Sequence, residues 1–238
     1  MKKIINKIIA VEGLDKTGKS TFVDTFITEY NKMVNTPDFP IFKHSFPNAN
    51  SPIGKMIRDE LESLVPDPDI VSSPNFLAEM AHFWMTELFK IHYSNVTDDS
   101  TMRVGINKPI KVTTHNYIFD RYFISTLAYQ AFYNDSLIDL EFIKSALNTN
   151  KFIKFPTDII FLDLPNSIII ERTKADQAAG KTDSNDTLDE EVLDQRRDAY
   201  VKAFKFLKGT NVYVHWFEDV SLFTPEDLSK VLMGKIFK

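Results

Sequence analysis

Residues 8–20 read IIAVEGLDKTGKS, and the fold is decided there. Four apolar residues (Ile8, Ile9, Ala10 and Val11) and Glu12 lead into Gly13-Leu14-Asp15-Lys16-Thr17-Gly18-Lys19-Ser20. These eight residues satisfy G-x-x-x-x-G-K-[ST], a phosphate-binding loop set between a buried strand and a helix. The chain holds seven glycines, and two of them are spent on this turn. Glycine lets the backbone curl until its N–H groups converge on phosphate oxygens, and the N-terminus of the following helix adds partial positive charge. In such a loop Lys19 neutralises β/γ-phosphate charge and the Ser20 hydroxyl ligates Mg²⁺. Residues 13–21, including Leu14, Thr17 and Thr21, are therefore the candidate nucleotide cradle.

Working outward, TFVDTFITEY (21–30) has the spacing of a helix, predicted over 19–32. The first strand is predicted over 3–12, and short continuous apolar runs at 116–119 and 158–164 read as strands buried on both faces. A further β-rich stretch covers 211–217. Ser51-Pro52 and Thr224-Pro225 each open a helix, with a hydroxyl cap followed by proline in the first turn. Ile53, Met56, Ile57, Leu61 and Leu64 continue the first of these at helical spacing, and another helix is expected over 75–93. Strands alternating with helices predict a parallel sheet covered on both sides. Two polar stretches interrupt the pattern, an insertion at about 95–115 and a segment at 176–191 between two helices. Neither is long enough for a domain, so residues 1–238 are expected to form one.

Composition excludes several classes. With 238 residues, 43% hydrophobic and 26% charged, the chain is neither disordered nor fibrous. It has no cysteine, which removes disulfides, thiolate metal sites and thiol catalysis, and a reducing cytoplasm is the expected setting. The net charge of −5 argues against a nucleic-acid coat protein, so an anionic ligand must be held by local charge. No segment approaches the ~18 apolar residues of a membrane span. The basic start MKKIINK mimics a signal peptide, but the apolar stretch after it is too short and ends in Glu12-Gly13.

The run Tyr117-Ile118-Phe119 is followed by Asp120-Arg121-Tyr122. A charged pair at the carboxyl end of a buried parallel strand stands where open α/β sheets bind ligands. Arg121 suits bidentate contact with a second phosphate, and Asp120 suits the neighbourhood of Mg²⁺. The guanine-reading N-K-x-D pattern is absent, since Asn107-Lys108-Pro109-Ile110 lacks the acid, and no second D-x-x-G follows the loop. A GTPase switch is disfavoured. No histidine pair shows metal-ligand spacing.

EGLDKTGKST together with DRYFISTLAYQ resembles the thymidylate kinases, whose motifs read E-G-x-D-x-x-G-K-[ST]-T and D-R-[YHW]-x-x-S-x-x-A-[YF]. The resemblance implies a P-loop three-layer α/β fold with a parallel five-stranded sheet and a lid at 176–191. It implies ATP and Mg²⁺, a nucleotide substrate, no nucleic-acid or membrane partner, and a homodimer in the cytoplasm, the host's if the gene is viral. By position, Asp15 would accept from a 3′-hydroxyl, Lys16 would stabilise the transferred phosphoryl group and Arg121 would hold the acceptor phosphate. Phe46 and Pro47 would form the substrate wall. Ser125, Thr126 and Gln130 would face the base, and Tyr129 would crowd the 2′ position. Arg172 would lie on the ATP side.

Three family arginines are replaced, by Ala49 in FPNANSPIG, by Phe83, and by Thr187 in Asp186-Thr187-Leu188-Asp189. Phe83 is an aromatic candidate for stacking on a base, and Lys43, Lys55, His82, Lys174 and Lys181 are candidate replacements for the lost charge. The expected activity is phosphorylation of dTMP or a related deoxypyrimidine monophosphate. A deoxynucleoside kinase would carry a carboxylate base where Phe46-Pro47 stands. A non-catalytic nucleotide binder is the remaining alternative.

Overall fold

In a computed structural model of the chain, the described residues are 7–35, 39–46, 52, 55, 116–133, 155–181 and 186–237. In chain order they form β1 (Ile8–Glu12), α1 (Lys19–Val34), β2 (Ile41–Ser45), β3 (Asn116–Asp120) and α2 (Phe123–Thr126). A π-helical stretch, Leu127–Phe132, extends α2. Then follow β4 (Asp158–Leu162), α3 (Asn166–Ala178), α4 (Glu190–Phe206), β5 (Tyr213–Phe217), a 3₁₀ turn (Val220–Leu222) and α5 (Pro225–Ile236).

The strands make one five-stranded parallel sheet in the order β2-β3-β1-β4-β5. Ala10 at its centre lies opposite Phe119 of β3 and Ile159 of β4. Side chains alternate between faces, so one strand feeds two cores. Ala10, Phe119, Ile159 and Phe161 join Phe123, Tyr200 and Ala203 on one side. Ile9, Val11, Ile118 and Ile160 join Phe26, Leu232 and Ile236 on the other. The continuous apolar runs are explained by this double burial. Each fully buried Ile or Phe contributes roughly 1.5–3 kcal/mol. Helices α2 and α4 thus cover one face and α1 and α5 the other, which is the expected α/β architecture.

Helix boundaries follow local chemistry. Asp189 caps α4 by accepting from the backbone N–H groups of Glu191 and Val192. Thr224 caps α5 through the Asp227 N–H, with Pro225 in the first turn as expected. Among the described residues no helix is long and apolar enough to cross a membrane.

Several expected boundaries move. β1 is described from Ile8; Lys7 precedes it and sends its ammonium to Asp158 at 3.0 Å. α1 runs past Lys32 to Val34 and stops where Asn35 turns left-handed at φ 45°. β4 ends at Leu162; the Asp163 N–H still donates to the Phe217 carbonyl of β5 at 3.0 Å, while its side chain pairs with Arg197 at 2.8 Å. β5 starts at Tyr213 rather than 211. β2 was not anticipated as a strand: IFKHS lies at the sheet edge with one residue of five fully buried, so its apolar signal is weak. The 176–191 segment is shorter than expected, since α3 continues to Ala178 and Glu190 already belongs to α4. Pro52 and Lys55 are helical, in line with the helix opened at Ser51-Pro52. The rest of that helix, the predicted helix over 75–93 and the 95–115 insertion lie outside the described residues.

Gly13 tests the packing of the turn after β1. Its φ is 150°, and a Cβ there would come within 2.3 Å of the Leu162 carbonyl oxygen. That atom is sheet backbone and cannot step aside. Gly13→Ala is expected to cost several kcal/mol, more than the ~0.5–1 kcal/mol of an ordinary Gly-to-Ala difference. Gly180→Ala, with nothing within 4 Å, should cost far less. Urea melts of the two variants check this; equal midpoints would contradict the close approach.

Candidate active site

The loop after β1 and the turn after β3 meet because their strands are neighbours, with Val11 paired to Asp120. The backbone closes the junction. Arg121 N–H donates to the Val11 carbonyl at 3.0 Å, and Phe46 N–H donates to the Asp120 carbonyl at 3.0 Å. Between them opens a cavity of about 330 Å³ lined by Asp15, Lys16, Lys19, Ser20, Asp120 and Arg121, with Phe46 on its wall. It sits in the crevice beyond the carboxyl ends of β1 and β3, on the edge where the strand order departs from chain order.

The loop is built to meet an anion. Gly18 precedes α1 at φ 84°, and α1 has neither a side-chain cap nor an acid in its first turn. Its first N–H groups are thus not claimed by a side chain, unlike those of α4 and α5. Thr17 Oγ1 and Lys19 Nζ both donate to the Leu14 carbonyl, at 2.9 and 2.6 Å. Lys19 is 7% exposed. Burial, with Arg121 adding repulsion, pushes its ammonium down to about 8, although Asp15, Asp120 and Glu12 pull the other way. Ser20 Oγ donates to Asp120 Oδ2 at 2.5 Å, so two hard oxygen groups sit side by side on the cavity. Arg172 Nη1 reaches the Lys16 carbonyl at 2.8 Å.

Arg121 is the hub of the opposite wall. It adopts φ 65°, in the left-handed region that costs a non-glycine residue about 1 kcal/mol or more. Its Nη2 pairs with Asp15. Its Nη1 donates to Tyr200 OH at 3.2 Å, Ser125 Oγ at 3.3 Å and the Gly13 carbonyl at 3.4 Å. Burial alone would raise the Asp15 carboxyl, but Arg121, with Lys19 and Arg196 behind it, holds it below the usual range. Beneath lies Glu12, fully buried, accepting from Tyr122 N–H at 2.8 Å and Ser125 Oγ at 2.5 Å. Burial drives its carboxyl up to about 7 against these hydrogen bonds. The Tyr129 ring packs edge-on against Tyr200, with the Arg121 guanidinium 5.9 Å from its centre and that of Arg196 5.8 Å away.

Of the residues expected at the site, the described ones Asp15, Lys16, Gly18, Lys19, Ser20, Thr21, Phe46, Asp120 and Arg121 come together on the cavity. Gly13, Leu14 and Thr17 are buried in the loop's support. Ser125 does not line the cavity; its hydroxyl serves Glu12 and Arg121. Thr126 is buried on α2. Tyr129 lies on the π-helical stretch behind Arg121, and the side chain of Gln130 lies outside what is described, as do Pro47 and Phe83. Lys43 pairs with Asp24 on α1 at 2.5 Å. Sequence reasoning missed Glu12, Tyr200 and Arg196. An acid closing an all-apolar strand was a readable signal for Glu12; Tyr200 and Arg196 lie on α4, far along the chain, and carried none.

A β1 phosphate loop, an Asp-Arg pair after β3 and a parallel five-stranded sheet define a P-loop α/β fold with its cavity at the carboxyl ends of β1 and β3. The thymidylate kinase family model matches residues 102–216, bearing out the resemblance carried by the motifs. No curated protein matches the chain. Among solved structures, it is similar to the thymidylate kinase from Candida albicans, at 17% identity and a TM-score of 0.56. The match covers 98% of this chain and 91% of that one, and it supports the fold.

The lowered Lys19 ammonium makes a pH prediction. Triphosphate binding needs the charged form, so affinity should be flat below about 8 and fall above it, by up to tenfold per pH unit. Calorimetric titration with a non-hydrolysable Mg·ATP analogue from pH 7 to 9.5 reads this, with proton uptake on binding near pH 8. A constant affinity and no uptake would show that Lys19 is not buried as described.

Proposed function

We propose that the protein transfers the γ-phosphoryl group of ATP to the 5′-phosphate of dTMP or a close deoxypyrimidine relative. The observation that carries this reading is that Lys19 and Arg121, one cation for each phosphate-bearing substrate, line the same cavity. An oxygen of the acceptor phosphate attacks Pγ; a new O–P bond forms as the bond from Pγ to the β-phosphate's bridging oxygen breaks, and ADP leaves with that electron pair. The acceptor oxygen is already ionised at neutral pH, so alignment and charge neutralisation are what the protein must supply.

In this reading Lys19 and the N–H groups of residues 13–21 hold the β- and γ-phosphates, Arg172 borders the ATP side, and Arg121 seats the acceptor phosphate. Asp15, kept ionised by Arg121, accepts from the 3′-hydroxyl. Phe46 and Pro47 wall the acceptor, Phe83 stacks on its base, and Thr126 and Gln130 lie toward that base. Tyr129 fills space against a 2′-hydroxyl, while Ser125 supports Arg121. The oxygens of Ser20 and Asp120 suit a hard divalent cation, and these two residues would hold Mg²⁺. When bound, the ion offsets charge on the β- and γ-phosphates. The working form is a cytoplasmic, single-domain homodimer that acts on free nucleotides rather than on nucleic acid.

Lys19→Ala should abolish ADP production in a coupled assay with dTMP and Mg·ATP. Arg121→Ala should slow it about 10²–10³-fold, as expected for loss of a preorganised cation. Asp15→Asn should narrow the preference for dTMP over its 3′-deoxy analogue. Wild-type rates in the Arg121 variant would sink the assignment.

A further inference from the structure

Lys16 is fastened to the far side of the cavity by two carboxylates. Its Nζ lies 2.8 Å from Asp176 Oδ2, near the end of α3, and 3.2 Å from Asp186 Oδ1, just ahead of α4. The Asp186 side chain is 3% exposed and that of Lys16 18%, whereas Asp176 is 39% exposed. The main chain of Lys16 is held as well, at φ 65° and by the Arg172 guanidinium of α3 on its carbonyl. Lys16 and Asp186 both line the cavity.

An ammonium has three N–H donors. Two face carboxylates, which leaves one for a phosphoryl oxygen. Flexible lysine stems carry about 2 kcal/mol of rotamer entropy, and a lysine free to wander would spend little time in the productive pose. The acids also keep the ammonium charged: its hydrogen bond to Asp176 leads in raising it above its ordinary range, with Asp186 adding to the effect.

We propose that Asp176 and Asp186 are positioning residues that hold the Lys16 ammonium over the cavity for the phosphoryl group in transfer. The proposal rests on the reading that Lys16 stabilises that group. It has a distinctive corollary. Two acids beside a triphosphate are tolerable while Lys16 stands between them and it; without Lys16 they repel the substrate.

Steady-state kinetics on Asp176→Asn, Asp186→Asn and Asp186→Glu test this. Asp186→Asn is expected to lower kcat about tenfold with KM for ATP little changed, the signature of a displaced rather than absent catalytic cation. The half-exposed Asp176 should matter less, and Asp186→Glu should recover part of the loss. In a Lys16→Ala background, Asp186→Asn should raise kcat/KM for ATP, a sign reversal that a purely structural acid cannot produce. Independently of turnover, Lys16 acylation by an N-hydroxysuccinimide acetate, read by peptide mass spectrometry, should quicken about three- to fivefold in the Asn variants. Unchanged kcat with unchanged labelling, or additive losses in the Lys16→Ala background, would overturn the proposal. A wild-type protein that phosphorylates no nucleoside monophosphate would instead overturn the functional reading, and the labelling result would still decide whether the acids hold Lys16.

Discussion

The arrangement depends on keeping a guanidinium charged and immobile in a half-buried crevice. Removing one partner from a buried ion pair costs about 3–5 kcal/mol, so Arg121 persists at φ 65° because its surroundings compensate it on every side. Asp15 supplies the full counter-charge at Nη2; Tyr200, Ser125 and the Gly13 carbonyl accept from Nη1. Glu12 is the second acid below, yet burial lifts its carboxyl to about 7. Near neutrality it is therefore only partly ionised, and it orients Ser125 and the Tyr122 backbone without fully quenching the field of Arg121. The cluster is stabilised by one acid and positioned by another.

The same economy explains how a chain with a net charge of −5 can receive two anionic substrates. Long-range attraction works against it, and solution ions screen such fields within about 8–10 Å. What remains is short-range. Lys16, Lys19 and Arg121 converge on one cavity, and α1 presents uncapped N–H groups to it. Caps were available to this sequence, as Asp189 and Thr224 demonstrate on α4 and α5. A missing cap forgoes about 0.5–2 kcal/mol. Stability is given up at the helix end where an anion would otherwise have to compete with a side chain.

Legibility followed sequence distance. The loop at 13–20 and the triplet at 120–122 could be read because each is contiguous and each follows an apolar run. The strands β1, β3 and β4 were legible because burial on both faces erases alternation; edge strand β2, half-exposed, escaped. Asp15 and Arg121 were both singled out, but their pairing was not, since it spans 106 residues. Tyr200 meets Glu12 across 188 residues and resembles any core tyrosine of an amphipathic helix until the fold brings them together. The 176–191 segment was read too broadly because helix ends rich in Asp, Ala and Gln look polar and loop-like, while α3 keeps its hydrogen bonds to Ala178.

The start and first turns of α4 shape the surroundings of the site. Where the related lid carries arginine, Thr187 accepts a hydrogen bond from Asp189 N–H at 3.1 Å and so helps shape the start of α4. Nine residues further along, Arg196 lies 5.8 Å from the ring centres of both Tyr129 and Tyr133, and its charge contributes to holding the Asp15 carboxyl low. Tyr129 is thereby flanked by guanidiniums from two different elements, Arg121 after β3 and Arg196 on α4. A cation on a helix packed against its neighbours gives up less conformational entropy on binding than one carried on a loop. Positive charge beside Asp15 and Tyr129 thus sits on the packed helix α4, while Asp176 of α3 and Asp186 just ahead of α4 face Lys16. The fixed charges around the cavity are in this way carried by packed elements, Arg121 after β3 and Arg196 on α4.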